Sequence, residues 1–331
     1  MSKKFQVVGI GNAIVDVLSH CEDTFLEQAG VQKGIMQLID MDRAVELYAK
    51  VGPAKEISGG SAANSIAGIA QLGGSTAYVG KVKDDQLGAI FAHDLRAQGA
   101  VYETGLGEKV SDAETGRCIV LVTPDGERSM NTYLGWSEFL GPDDIDAKMM
   151  ADAEWIFLEG YRFDGPESHE AFAKAIAATK STGGQVSITL SDPFCIDRHR
   201  DAFARLLRDE ADLLFANRVE LLSMYNADDL DVALSAAAKE VQIVACTDGA
   251  NGAHIASGAD RWHIPAMPTD VVDATGAGDL FAGAFLWGLT NGFGLETCGR
   301  MACVAAAEII SHIGARPEAN LKKLFQQHGL I

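Results

Sequence analysis

The run Asp273-Ala-Thr-Gly-Ala-Gly-Asp279 stands directly before Leu280-Phe-Ala-Gly-Ala-Phe-Leu-Trp-Gly-Leu289, a segment apolar on every side. Such a segment reads as a deeply buried helix, closed at Asn291-Gly292. Glycines at a helix start leave N–H groups free with no side chain in the way, so Gly276, Ala277 and Gly278 form a candidate anion hole. Taken alone, Asp279 in the first turn would offset the helix dipole by ~0.3–1 kcal/mol. A carboxylate beside an anion hole repels phosphate, however, unless it has chemical work. The work open to it is to accept a proton from an attacking hydroxyl as a phosphoryl group arrives. Asp279 is therefore the candidate base, and the neighbouring amides would stabilise charge on the transferred oxygens.

A second glycine motif, Gly59-Gly60-Ser61-Ala-Ala-Asn64, opens a small-residue apolar stretch ending at Leu72-Gly73. By itself it reads equally as an ordinary tight helix entry. Other phosphate motifs are missing from the sequence. There is no GxxxxGK[ST] loop, and Gly9-Ile-Gly11-Asn-Ala-Ile14 lacks the third glycine of a dinucleotide fingerprint, which leaves a nicotinamide-dependent oxidoreductase a weak alternative.

Apolar runs suited to buried strands occur at Phe5–Ile10, Glu154–Leu158, Gln185–Leu190, Asp212–Ala216 and Val241–Cys246, with helix-period stretches at Glu170–Lys180, Phe203–Arg208 and Asp231–Lys239 between them. Alternation of this kind predicts a parallel sheet flanked by helices, with ligands gathered at the carboxyl ends of the strands. Two segments break the pattern. Residues 14–40 carry short alternating stretches, and 101–136 contains a hairpin with arms Gly116–Thr123 and Arg128–Tyr133 around Pro124-Asp-Gly-Glu127. They are too few for a core of their own and predict a small β-sheet lid inserted in one domain spanning residues 1–331.

Of 331 residues, 46 are acidic and 27 basic, a formal net charge of −19. That sign repels nucleic acid and anionic membranes, and no apolar run is long enough to span a bilayer. The N-terminus lacks the apolar region of a signal peptide. Six dispersed cysteines, without CxxC spacing, read as thiols of a cytoplasmic protein. Nothing in the sequence chooses between monomer and homodimer.

Gly-Gly, Asn and Leu-Gly at this spacing, followed far downstream by Asp-x-Thr-Gly-Ala-Gly-Asp, resemble the two signatures of the PfkB (ribokinase-like) carbohydrate kinases. The likeness covers essentially the whole chain. Gly11-Asn-Ala-Ile-Val-Asp16, Gly59–Ser65, Leu190-Ser-Asp-Pro-Phe194 and Phe215-Ala-Asn-Arg-Val-Glu220 further resemble the adenosine kinase branch. The resemblance implies a ribokinase-like α/β fold and an ATP- and Mg²⁺-dependent kinase acting on the 5′-hydroxyl of a nucleoside such as adenosine. Inosine or a free sugar such as ribose is the alternative. It further implies that Asp16, Asn12, Gly59, Gly60, Ser61 and Asn64 hold the acceptor. Asn217 and Glu220 would organise Mg²⁺ and phosphate, Thr247 and Gly249 would contact the nucleotide, and Arg128 would approach the transferring phosphate from the lid. Asp273 and Thr275, with carbonyls near Gly314 and Ala315, would form a monovalent-cation (K⁺) site. Two positions depart from that branch: Met36 stands where a glutamine is expected, and Arg162 replaces an aromatic after Tyr161. Met36, Leu38, Met130, Trp136 and Tyr161 are the residues that could form an apolar slot for a purine.

Overall fold

The computed structural model describes residues 3–105 and 112–331; the part of the predicted lid between 105 and 112 lies outside them. A nine-stranded sheet runs, in space, Asp260–Ile264, Ala253–Ser257, Ile243–Thr247, Leu213–Asn217, Gln185–Thr189, Ala153–Glu159, Phe5–Ile10, Thr76–Val79 and Val101–Tyr102. Pairing is parallel from Val101–Tyr102 through Ile243–Thr247 and antiparallel for the last two strands. The inner strands are apolar on both faces because helices cover both, which divides the core into two large clusters, one on each side of the sheet. The helix Ala277–Thr290 lies in the first cluster, against Ser61–Gln71. Close contact between these helices depends on small residues: a Cβ on Gly283 would come within 2.7 Å of the Ser65 carbonyl oxygen.

A separate five-stranded sheet runs Met36–Leu38, Arg128–Gly135, Thr115–Val122, Ile14–His20 and Ala54–Ser58. The hairpin forms as predicted, with Val122 opposite Arg128. The segment 14–40 is less uniformly extended than its alternation implied, since the helix Asp23–Ala29 interrupts it. The small sheet also extends past residue 40, to Ala54–Ser58, whereas Val101–Tyr102 joins the edge of the large sheet. Strands of two residues, or with a charged exposed face such as Asp260–Ile264, carry too weak a periodic signal to stand out in sequence.

After Phe5–Ile10 the chain enters the strand Ile14–His20, not a helix. A dinucleotide-binding turn needs the helix, so Gly9-Ile-Gly11 is not one.

Candidate active site

The carboxyl ends of the parallel strands and the underside of the small sheet enclose a cavity of about 490 Å³. The five neighbouring parallel strands from Phe5–Ile10 to Ile243–Thr247 each deliver a lining residue at or just past the end: Asn12 after Phe5–Ile10, Tyr161 after Ala153–Glu159, Ser191 after Gln185–Thr189, Asn217 at the end of Leu213–Asn217, and Gly249 after Ile243–Thr247. The expected line-up for open parallel sheets is thus met.

Asp279 lies on this wall, one turn into the helix Ala277–Thr290, whose N-cap Gly276 sits in the left-handed region (φ +81°). A Cβ there would press on Ala315 at 2.8 Å as well as strain the backbone. At Gly278, by contrast, a Cβ would meet no protein atom within 4 Å. The missing side chain serves open space in the cavity, and the protein's own packing does not demand it. Gly278 and Asp279 are first-turn residues whose N–H groups have no intrahelical acceptor.

The Asp279 carboxylate is held at both oxygens: Ser61 Oγ donates to Oδ1 at 2.6 Å and Asn64 Nδ2 donates to Oδ2 at 2.8 Å. Both donors belong to the first turn of Ser61–Gln71, entered through Gly60 with φ +92°. A third bond, from Ser65 Oγ to the Asp279 backbone oxygen at 2.8 Å, locks the two helix starts together. Burial pushes the Asp279 carboxyl above its ordinary range, and the bonds from Ser61 and Asn64 hold it partly down. The result is a stronger base than a free aspartate, fixed in aim. Asn64, read as an acceptor contact, therefore also serves Asp279, and its Oδ1 remains buried without a partner.

Asp16 borders the same cavity, and Gly59, which does not line it, makes room behind: a Cβ there would overlap the Asp16 carboxyl. Burial raises the Asp16 carboxyl to about 7 against the opposing pull of Arg316, and the charge of Asp279 pushes the same way as burial. Between about pH 4 and 7 the folded state thus keeps a proton that the unfolded chain gives up. The stabilisation this brings is complete at low pH and lost as pH rises through about 7. Asp16→Asn should therefore raise Tm of the ligand-free protein by about 2–4 °C at pH 8, with the gain vanishing near pH 4. Parallel Tm curves for the two proteins between pH 4 and 8 would remove the strain assigned to Asp16.

Of the expected nucleotide-side residues, Asn217, Glu220, Thr247 and Gly249 all line the cavity. Asn217 caps the helix Arg218–Tyr225: its Oδ1 accepts from the Glu220 N–H at 2.8 Å, and Glu220 Oε2 accepts from the Asn217 N–H at 2.9 Å. This is a capping box. Burial raises Glu220 to about 7 against that backbone bond. Glu220 is thus both a helix-start carboxylate and a cavity residue, and the two roles share one geometry.

Arg128 does not line the cavity. It pairs with the Asp273 carboxylate and donates to Thr275 Oγ1, beside the anion hole. Asp273 also accepts from the Thr275 and Gly314 N–H groups, each at 2.8 Å. The expected monovalent-cation position on Asp273 and Thr275 thus meets a guanidinium already paired with both. Among the described residues no three His, Cys, Asp or Glu converge as a metal site.

Met36, Leu38, Met130 and Tyr161 line the cavity, but Trp136 does not. Its ring packs edge-on against Phe139 at 5.1 Å, with Lys83 over its face at 5.2 Å. Tyr161 is held from behind by Ser191, whose Oγ accepts from the Tyr161 N–H at 3.1 Å and whose backbone oxygen accepts from the hydroxyl at 3.2 Å. Ser191 adopts φ +73°, strain of the kind that clusters at ligand sites.

Two residues the sequence did not reveal complete the site. Glu159, 1 % exposed, accepts from the Asn12 N–H at 3.2 Å and the Ala62 N–H at 2.9 Å, so it ties the first strand's loop to the start of Ser61–Gln71. Its signal was present, a carboxylate closing an apolar strand at the ligand end of the sheet. Arg316 donates to the carbonyls of Ala63 at 2.8 Å and Ser58 at 3.1 Å and supplies positive charge toward Asp16 and Asp279.

Residues 33–322 match the pfkB family carbohydrate kinases. A probable sugar kinase from Rhizobium etli CFN 42 is 47% identical, with 99% of this chain and 100% of that one covered and a TM-score of 0.94. Adenosine kinase from Sinorhizobium meliloti is 45% identical over 98% of this chain and 99% of that one, TM-score 0.92. Adenosine kinase of Saccharomyces cerevisiae is 27% identical, covering 93% of this chain and 95% of its own length. No helix among the described residues is long and apolar enough to cross a membrane. With this match over most of its length, the chain belongs to the pfkB family of carbohydrate kinases and is a phosphotransferase acting on an alcohol group.

Proposed function

We propose that this kinase transfers the γ-phosphoryl group of ATP to the 5′-hydroxyl of a nucleoside, adenosine before others. The observation that carries the reading is the position of Asp279, anchored by Ser61 and Asn64 on the wall of the cavity beside the open Gly278. The cavity lining includes Asn217, Glu220, Thr247 and Gly249, where ATP would enter, and also Asp16, Asn12 and Asn64 together with the apolar Met36, Leu38, Met130 and Tyr161. A free sugar needs the polar group alone, whereas a nucleoside needs both. Asp16 accepts hydrogen bonds from vicinal ribose hydroxyls, and the apolar group covers the base.

In the reaction Asp279 accepts the 5′-hydroxyl proton as the oxygen attacks γ-phosphorus and the bond to the β-phosphate oxygen breaks, giving ADP and the nucleoside monophosphate. The Gly276–Gly278 amides would take up charge on the transferred oxygens. Glu220 and Asn217 are the residues that would hold Mg²⁺ together with the phosphates, where it would offset their charge. Arg128, one residue from the anion hole through Thr275, would extend toward the phosphate when the small sheet acts as a lid.

The test is ADP release with adenosine, inosine and ribose as acceptors. Adenosine should exceed ribose in kcat/KM by roughly a hundredfold, the worth of burying a purine on apolar side chains. The identity to a probable sugar kinase keeps the free-sugar reading specific, and equal turnover of ribose would decide for it.

A further inference from the structure

Arg162 is the largest fully buried side chain of the described residues, 1 % exposed, and it stands next to a cavity residue without reaching the cavity itself. The turn Gly160–Asp164 sends adjacent side chains to opposite sides: Tyr161 faces the cavity and Arg162 the protein behind it. One guanidinium nitrogen donates to Asn12 Oδ1 at 2.9 Å and to the Ser137 carbonyl at 2.6 Å. The other donates to the Leu140 carbonyl at 3.0 Å and Ser168 Oγ at 2.8 Å. Burial lowers the Arg162 pKa, and the charge of Glu159 opposes that fall.

The bond to Asn12 has a chemical consequence. A primary amide has one acceptor oxygen and one donor nitrogen, and a lone Asn can present either to a ligand. Arginine is donor-only, so whatever faces it must be the amide oxygen. Glu159 meanwhile holds the Asn12 N–H, which fixes the residue at backbone and side chain together. The Asn12 NH₂ is left to the cavity that Asn12 lines. Asn64 is oriented by the same logic in reverse: its NH₂ is taken by Asp279 and its oxygen is left without a partner.

We infer that Arg162 is a positioning residue for acceptor recognition, which locks the Asn12 amide with its NH₂ toward the substrate and so requires a hydrogen-bond acceptor, such as a ribose hydroxyl oxygen, at that point. The inference rests on the acceptor site proposed above and adds to it a specificity-setting residue that does not touch the substrate.

The experiment compares wild type, Arg162→Met, Asn12→Ala, the double variant, and Asn12→Asp. Kinetics are read separately for adenosine and ATP, with Tm recorded for each protein. Arg162→Met should raise the adenosine KM about tenfold, the order of one well-made hydrogen bond, with the ATP KM unchanged. The double variant should be no worse than Asn12→Ala, because Arg162 acts through Asn12. Asn12→Asp keeps the pairing with Arg162 but removes the donor, and should match Asn12→Ala in adenosine KM. This near-isosteric variant decides the matter if Arg162→Met does not fold. Additive losses in the double variant, an equal rise in the ATP KM, or a normal adenosine KM for Asn12→Asp each overturn the inference. If wild type turns over ribose and not adenosine, the nucleoside reading fails instead, and the same five proteins assayed with ribose still test Arg162.

Discussion

Asp279→Asn should lower kcat by ~10²–10⁴, the range for losing a general base, while the KM for ATP stays close to wild type. The geometry makes the substitution sharper than a simple loss of charge. Both carboxylate oxygens accept, from Ser61 at 2.6 Å and Asn64 at 2.8 Å. An asparagine offers one oxygen and one NH₂: the oxygen accepts from Asn64 Nδ2 as before, and the NH₂ donates to Ser61 Oγ once that hydroxyl turns round to accept. The variant should therefore keep a Tm close to wild type, so that the fall in kcat is not a loss of fold. In wild type, kcat should fall as pH drops through the raised Asp279 pKa, because only the ionised carboxylate accepts a proton. That acidic limb should disappear from the residual activity of the variant. Near-normal turnover by Asp279→Asn would take this residue out of the chemistry.

The second large effect is expected at Gly278. Gly278→Val adds a branched side chain where a Cβ meets no protein atom within 4 Å, so the fold has room for it. Phosphate does not: the added methyl groups would stand over the first-turn amides that the transferred oxygens need. We expect kcat to fall by at least ~10²-fold, comparable with losing one oxyanion donor, with Tm held or slightly raised, since valine is a better helix former than glycine. Gly276→Val makes the contrast, since there the backbone conformation and Ala315 both resist, and Tm should drop steeply. Unchanged kcat in Gly278→Val would dismiss the anion hole.

Much of this site was legible in the sequence because its parts are local. The strand Phe5–Ile10 was read to the residue, and the helix start at Gly276–Asp279 follows from small residues ahead of an apolar run. What was not legible depends on partners far apart in the chain. Asp279 and Ser61 are separated by 218 positions, and no spacing rule says that Ser61 and Asn64 bond the Asp279 carboxylate. The same holds for Glu159, which bonds residues 147 positions before it and 97 before it. Arg162 read as a missing aromatic; it belongs to the protein interior, and its neighbour Tyr161 lines the cavity. Trp136 failed for the opposite reason, since an aromatic near a ligand segment found an aromatic neighbour, Phe139.

The small sheet joins the large one through several separate passes of chain, among them Gly11–Ala13, Gly59–Gly60 and the stretch after Gly135. A body moored at several points cannot swing on one pivot; it can only rock about the line through its moorings. Asn12, Gly60 and Ser61 sit at the first two of these crossings, whereas Met36 and Leu38 lie on the opposite edge strand of the small sheet. If the small sheet shifts as a body, side chains at the crossings move less than those on that edge, so the polar and apolar parts of the proposed acceptor site would close to different extents.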